Sequence, residues 1–213
     1  MLSITDIKTS RIKNRVNLIF SDKTYLPFFI DDVVRLSLIR HQELNLEKIN
    51  QIKSLSLLYL GKEYALRQVA ISPKTEKILS QKLKVFFLKI TQKFKLLSCL
   101  SYDLMINQIV DNLKEKKLID QSNYISYFLK KNKSKSALEI KFLLKQKGID
   151  VSSINIPIKN EISSIKKILL KKNINKELMA DFNYKNKLYS SFFRKGFSFS
   201  NIKTAIDEYL ALQ

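Results

Sequence analysis

The chain has 213 residues, and its 39 Lys and Arg against 19 Asp and Glu give a formal net charge of +20 at pH 7. Hydrophobic residues at 45% and charged residues at 27% are ordinary values for a globular protein, so a wholly disordered basic tail is excluded. One cysteine and one histidine, Cys99 and His41, exclude an intramolecular disulfide and a zinc site built from several thiolates or imidazoles. We expect a folded protein with acidic partners, no metal, no cofactor and no enzymatic activity.

The first 30 residues carry strand patterns. Apolar and polar residues alternate over Arg15–Phe20, a turn follows at 21–23, and a second short strand fits Tyr25–Phe29. Ile4–Lys8 is a candidate third strand, and Pro27 confines its own strand to an edge of the sheet because proline donates no ladder hydrogen bond. The sequence therefore predicts a small β-hairpin segment at the start.

Helical spacing begins after this segment. Asp31 or Asp32 is predicted to cap a first helix, a second helix fits residues 46–60, and Gly61 is expected to end it. A helix over 62–70 should stop at Ser72 because Pro73 follows.

Amphipathic spacing then predicts helices throughout the rest of the chain. Thr75 is the expected N-cap of one helix, and the stretch 84–100 either prolongs that helix or forms a linker with a short helix of its own. Asp120 or Ser122, and then Ser134 or Ser136, are candidate N-caps of later helices. The remaining predicted helices cover 102–117, 160–172, 185–195 and a last one from about residue 200, with a break at Pro157.

Two helix ends share a basic-glycine-apolar pattern, at Lys147-Gly148-Ile149 and at Lys195-Gly196-Phe197. Glycine supplies the left-handed C′ residue there, and the apolar residue after it packs back on the helix. Short helices, polar caps and amphipathic helices recur beyond residue 62, so three helical units in tandem are predicted, at about 63–117, 118–156 and 157–213. An N-terminal hairpin and helix segment, 1–62, would precede the helical region, 63–213.

Four stretches of this region resemble the RecX family of bacterial recombination regulators. They are ALRQVAISPKTEKILSQKL (65–83), IVDNLKEKKLIDQSNYI (109–125), SALEIKFLLKQKGI (136–149) and LYSSFFRKGFSFSNIKTAI (188–206), the last containing a basic-basic-glycine-phenylalanine signature. The resemblance spans about 65–210. Three residues depart from the family pattern: Ile78 and Leu143 stand where glutamate is usual, and Lys117 stands where glycine is common.

The resemblance implies a mainly α-helical protein in which three tandem three-helix repeats form an elongated curved stack. It also implies a non-enzymatic, cytoplasmic regulator that binds RecA filaments on single-stranded DNA and modulates their extension, ATP hydrolysis and strand exchange in recombination and DNA repair. We expect a monomer that contacts RecA, and the resemblance leaves open whether it also contacts the single-stranded DNA directly.

Clustered basic residues are the candidates for contact with RecA or DNA. Lys141 and Lys145 lie one helical turn apart, opposite an apolar stripe of Ile140 and Leu144. The other candidates are Lys130, Lys131, Lys133 and Lys135 at an interhelix turn, Arg194 and Lys195 in the signature, and Arg67 in the first repeat.

Two other classes of function also fit parts of the sequence. A generic helical DNA- or RNA-binding protein would explain the charge without RecA. A basic amphipathic helix at 82–100 that binds a membrane surface or a partner would explain Phe86 and Phe87 among lysines. No stretch reaches the roughly 20 apolar residues that a membrane span needs, and no secretory signal is expected. An enzyme is the weakest alternative.

Overall fold

A computed structural model describes residues 2–97, 101–152 and 161–211. Cys99 and the predicted break at Pro157 lie outside these residues. The described chain is mainly helical, with strands confined to the N-terminal segment, as the sequence predicts. It divides into two compact units, residues 1–120 and 121–213.

In the first unit, four antiparallel strands form a sheet of order β3-β2-β1-β4. They are β1 (Leu2–Thr9), β2 (Arg15–Phe20), β3 (Tyr25–Phe29) and β4 (Glu43–Leu44). The predicted hairpin and third strand are confirmed, and Pro27 lies in the edge strand β3. The two-residue strand β4 was not predicted. The alternation in β2 places Val16, Leu18 and Phe20 in the core.

The helices of the first unit are α1 (Ile30–Arg35), α2 (Leu46–Ile71), α3 (Glu76–Lys93) and α4 (Asp103–Glu115), with a 3-10 turn over Lys95–Leu97. The capping prediction for α1 is wrong, because Phe29 is the N-cap and Asp31 and Asp32 lie in the first turn. The Thr75 cap is confirmed by its hydrogen bond from the Ile78 N–H, 3.2 Å. Helix α3 continues through Lys93, so the first part of 84–100 prolongs it.

Gly61 does not end a helix. It lies buried inside α2, and the two helices predicted on either side of it are one helix of 26 residues. A Cβ at this position would lie 2.5 Å from Phe87 Cζ in α3 and 2.7 Å from Ile109 Cδ1 in α4. The glycine is therefore required by close packing of three helices. The predicted end at Ser72 before Pro73 is confirmed.

The helices of the second unit are α5 (Gln121–Lys131), α6 (Ala137–Gln146), α7 (Glu161–Lys171), α8 (Lys176–Ala180), α9 (Phe182–Arg194) and α10 (Phe199–Ala211). Helices α7, α9 and α10 enclose one apolar core that includes Ile165, Phe192 and Ile202. The short helix α8, capped by Asn175, was not predicted.

The predicted boundary between 1–62 and 63–213 falls inside α2, while compactness divides the chain after Asp120. The partition into three repeats concerns the internal similarity of helices rather than compactness, and it stays a prediction.

Candidate functional site

Three candidate basic segments converge on the first turn of α6. Ser136 is the N-cap of this helix, and its hydroxyl accepts a hydrogen bond from the Glu139 N–H at 3.1 Å. The same hydroxyl donates to the carbonyl oxygen of Lys195, which follows α9. The Ser164 hydroxyl of α7 donates to the carbonyl oxygen of Lys133 at 2.9 Å. These bonds fix the 130–135 run, the start of α6 and the 194–195 pair in one region of the second unit.

The side chains of the 130–135 run are not equally available. Lys130 and Lys131 are exposed in the last turn of α5, and the Lys131 Nζ lies 4.7 Å from the ring centroid of Tyr127, a cation–π contact. Lys133 is exposed. Lys135 is half-buried and forms an ion pair with Glu139 one turn ahead, so its charge is partly neutralised within the chain.

Lys141 and Lys145 are exposed on α6, while Ile140 and Leu144 are buried. The predicted placement of these two lysines opposite the apolar stripe is therefore correct. Lys145 also lies close enough to Asp150 to affect the pKa of that carboxyl. Hydrogen bonds from the Ser152 N–H (3.0 Å) and hydroxyl (2.7 Å) lower the pKa of that carboxyl, and the positive charge of Lys145 adds to the effect.

Arg194 and Lys195 are exposed at the end of α9, directly before the signature glycine. Gly196 has a φ of +83°, as expected for a left-handed C′ residue. A Cβ on it would lie 2.9 Å from Leu138 Cδ2 and 3.0 Å from Ser136 Oγ. The signature thus has two structural consequences: it ends α9, and it lets the α9 end approach the start of α6.

Arg67 belongs to the first unit, in α2. It forms an ion pair with Glu63 one turn earlier, and the other oxygen of that carboxylate binds Arg15 of β2. Arg15 is only 14% exposed and its guanidinium lies 5.6 Å from the ring centroid of Tyr59. The Arg15–Glu63 pair, 48 residues apart in sequence, joins the sheet to α2 and could not be predicted from local patterns.

Sequence reasoning also missed a set of exposed apolar side chains in the second unit. Leu138 and Phe142 of α6 and Phe193 of α9 are exposed. Leu138 and Phe193 line an open groove of about 680 Å³ together with Lys141 and Gly196. The helical spacing could have predicted this exposure for α6, since Leu138 and Phe142 lie between the residues that face the core.

Residues 2–97, 101–152 and 161–211 contain no group of three or more His, Cys, Asp or Glu side chains that could hold a metal ion. In these ranges no helix has both the length and the apolar character required to cross a membrane.

The chain is similar in sequence to known proteins that share one name. No protein-family model matches the chain. The regulatory protein RecX of Streptococcus mutans is 29% identical over 205 residues, which cover 92% of this chain and 74% of that protein. The regulatory protein RecX of Streptococcus agalactiae serotype V is 30% identical over 203 residues, 91% of this chain and 73% of that protein. The chain belongs to the RecX family.

A solved structure supports the same fold for this RecX-family chain. The crystal structure of a regulatory protein RecX superimposes with a TM-score of 0.58 at 21% sequence identity, covering 97% of this chain and 100% of the other. The similarity to the streptococcal RecX proteins extends across both compact units.

Proposed function

We propose that this RecX-family chain is a non-enzymatic regulator that binds RecA filaments on single-stranded DNA and restrains their extension, ATP hydrolysis and strand exchange. The observation that carries the proposal is the 30% identity to a regulatory protein RecX over 91% of the chain. The exposed cations around the start of α6 supply a surface that suits an acidic protein groove or phosphates.

The kind of basic residue favours this function over sequence-specific DNA binding. Only six of the 39 basic residues are arginine. Lysine is a strongly hydrated point charge that binds phosphates and carboxylates, whereas arginine presents the rigid fork that reads guanine in the major groove. A partner recognised by its charge and shape is therefore more consistent with this chain than a particular base sequence.

In this proposal, the three helical repeats predicted over 63–117, 118–156 and 157–213 contact the filament. The candidate contacts are Lys130, Lys131, Lys133, Lys141, Lys145, Arg194 and Lys195 of the second unit, with Arg67 and Lys135 contributing less because each has an intramolecular ion-pair partner. The protein acts as a monomer in the cytoplasm, where its filament partner forms.

The test is the single-strand-dependent ATP hydrolysis of RecA, followed while this protein is titrated in at fixed, moderate salt. Binding to the same naked single strand is measured at the same protein concentrations. We expect hydrolysis to fall at protein amounts well below that of RecA, where the naked DNA is still largely uncovered. This result would require recognition of the filament itself.

The high positive charge also fits a generic nucleic-acid-binding protein, and the same experiment separates the two functions. Such a protein would change ATP hydrolysis only at concentrations that coat the DNA, because it competes with RecA for phosphates. That outcome, or no effect on hydrolysis at any concentration, would refute the proposed filament regulation.

A further inference from the structure

The outer face of α6 combines apolar and basic side chains in one stripe. Leu138, Lys141, Phe142 and Lys145 follow the i, i+3, i+4, i+7 spacing that places residues on one side of a helix. Leu138 is 67% exposed and Phe142 is 59% exposed. A different stripe of α6, which contains Ile140 and Leu144, faces the core, and both of these residues are buried. The outer stripe is therefore an additional apolar surface that the fold of the second unit does not use.

Leu138 and Lys141 of this stripe line the groove described above. Phe193 of α9, 67% exposed, lines the same groove, and the turn at Gly196 and Phe197 also contributes to it. The absence of a side chain at Gly196 allows Leu138 to lie against that turn. The result is a groove of about 680 Å³, its apolar side chains supplied by α6, α9 and the turn after α9, with Glu161 of α7 and Asn201 of α10 also in the lining; the Ser136–Lys195 hydrogen bond joins the start of α6 to the end of α9.

The charges around the groove indicate what would occupy it. Lys141 lies in the groove, Lys145 follows one turn away, and Arg194 and Lys195 adjoin Phe193 in sequence. The groove also contains one carboxylate, Glu161, which accepts hydrogen bonds from the Asn201 side chain (2.9 Å) and the Ala137 N–H (3.4 Å). Within the lining the charges of Lys141 and Glu161 balance, and the positive charge comes from the exposed Lys145, Arg194 and Lys195 that flank the groove on α6 and at the end of α9, so its surroundings are complementary to negative charge.

The lining distinguishes between two anionic partners. A phosphate backbone would use the cations but would leave the exposed aliphatic side chain of Leu138 without an apolar counterpart. A polypeptide can satisfy both, with Asp or Glu side chains at the rim and a large apolar side chain between Leu138 and Phe193. The geometry points to a docking groove for an acidic polypeptide segment with an apolar anchor. This inference rests on the proposed function, in which that segment belongs to RecA in the filament.

The test uses the full chain with p-benzoylphenylalanine, a photo-crosslinking amino acid, in place of Phe193. It is irradiated with RecA filaments on single-stranded DNA, and the crosslinked products are identified by mass spectrometry. Leu170 of α7, 65% exposed and not part of the groove lining, gives a matched control position. We expect position 193, but not position 170, to crosslink to an acid-rich RecA segment. Crosslinks from position 193 to DNA, to a second copy of this chain or to nothing would overturn the inference.

A matched pair of substitutions measures the contribution of the groove. Phe193→Ser should weaken the apparent affinity for filaments about tenfold, since exposed aromatics at the centre of an interface contribute strongly. Leu170→Ser should change that affinity less than twofold, and both variants should keep the thermal midpoint of the unsubstituted protein. If the unsubstituted protein regulates ATP hydrolysis and Phe193→Ser does so equally well, the groove inference alone is wrong. If the unsubstituted protein has no effect, the proposed function fails and the inference fails with it.

Discussion

At the scale of single residues, the ends of five helices are closed by the same backbone device. After α1, α4, α6, α7 and α9, one residue has a positive φ and the N–H of the next residue bonds a carbonyl of the last turn. This is the Schellman arrangement. The left-handed residues are Ser37, Lys117, Gly148, Asn173 and Gly196. Glycine occupies two of these five positions, so the others carry conformational strain.

Lys117 offers a direct measurement of that strain. Its φ is +55°, its N–H donates to the Lys114 carbonyl at 2.8 Å, and its side chain is exposed. Lys117→Gly should stabilise the protein by about 0.5–1 kcal/mol, because glycine adopts this conformation without the steric cost of a Cβ. The measurement is the urea midpoint of unfolding, followed by circular dichroism.

The neighbouring lysine provides the control. Lys116 is also exposed, but its φ is −79°, which any residue adopts easily. Lys116→Gly should therefore lower the stability by about 0.5–1 kcal/mol through the greater freedom of the unfolded chain. Equal effects of the two substitutions would show that backbone conformation at residue 117 does not limit stability.

At the scale of elements, Gly61 shows why a strong local signal can mislead. Glycine at the end of an apolar run is typical of a helix end, yet here it lies within α2. The deciding contacts come from Phe87 and Ile109, which are distant in sequence and reach the α2 backbone only after α3 and α4 have packed against it. Periodicity reports the face of a helix but not which distant side chain will touch it.

Gly61→Ala is predicted to destabilise the protein by about 1 kcal/mol. Alanine would gain up to about 1 kcal/mol in helix propensity, but overpacking of a close-packed core costs about 1–3 kcal/mol. Phe87 and Ile109 are both almost fully buried, so neither can turn away into solvent. Urea unfolding measures the difference.

A second variant identifies the cause. In a background that carries both Phe87→Leu and Ile109→Val, the ring and the Cδ1 methyl that meet the new Cβ are absent, so Gly61→Ala should become neutral or stabilising there. An unchanged cost in that background would locate the penalty elsewhere in α2, and the packing explanation for Gly61 would be wrong.

The sequence predicts the candidate site only in part, because some of its contacts join residues that are distant in sequence. Local spacing located Lys141 and Lys145 on the outer face of α6, and the Ser136 cap was among the predicted caps. The hydrogen bond between Ser136 and Lys195 joins residues 59 apart, so no local pattern contains it. The groove depends on that contact, because Leu138 and Phe193 come from different helices.

At the scale of the whole molecule, positive charge is present in both compact units. Residues 1–120 contain 21 basic and 12 acidic side chains, and residues 121–213 contain 18 and 7. Because charged surfaces attract an anionic partner over roughly one Debye length, about 8–10 Å at moderate salt, the total charge alone could support weak binding. The effect of where particular cations lie must therefore be tested by comparing variants that have the same net charge.

A double substitution on α6 and its matched control on α7 separate location from total charge. Lys141→Glu with Lys145→Glu removes the two exposed cations of the α6 outer face and should weaken filament binding about tenfold, with a smaller salt dependence, because rim charges govern association. Lys167→Glu with Lys171→Glu makes the same change in net charge at the same spacing on exposed positions of α7. This control should lose no more than about threefold in affinity, the loss expected from weaker long-range attraction alone.

Filament binding is measured by fluorescence anisotropy at two salt concentrations, and thermal midpoints should change little in either variant. Equal losses of binding would show that only total charge matters, whereas a folding defect confined to the α6 variant would assign those lysines a structural role.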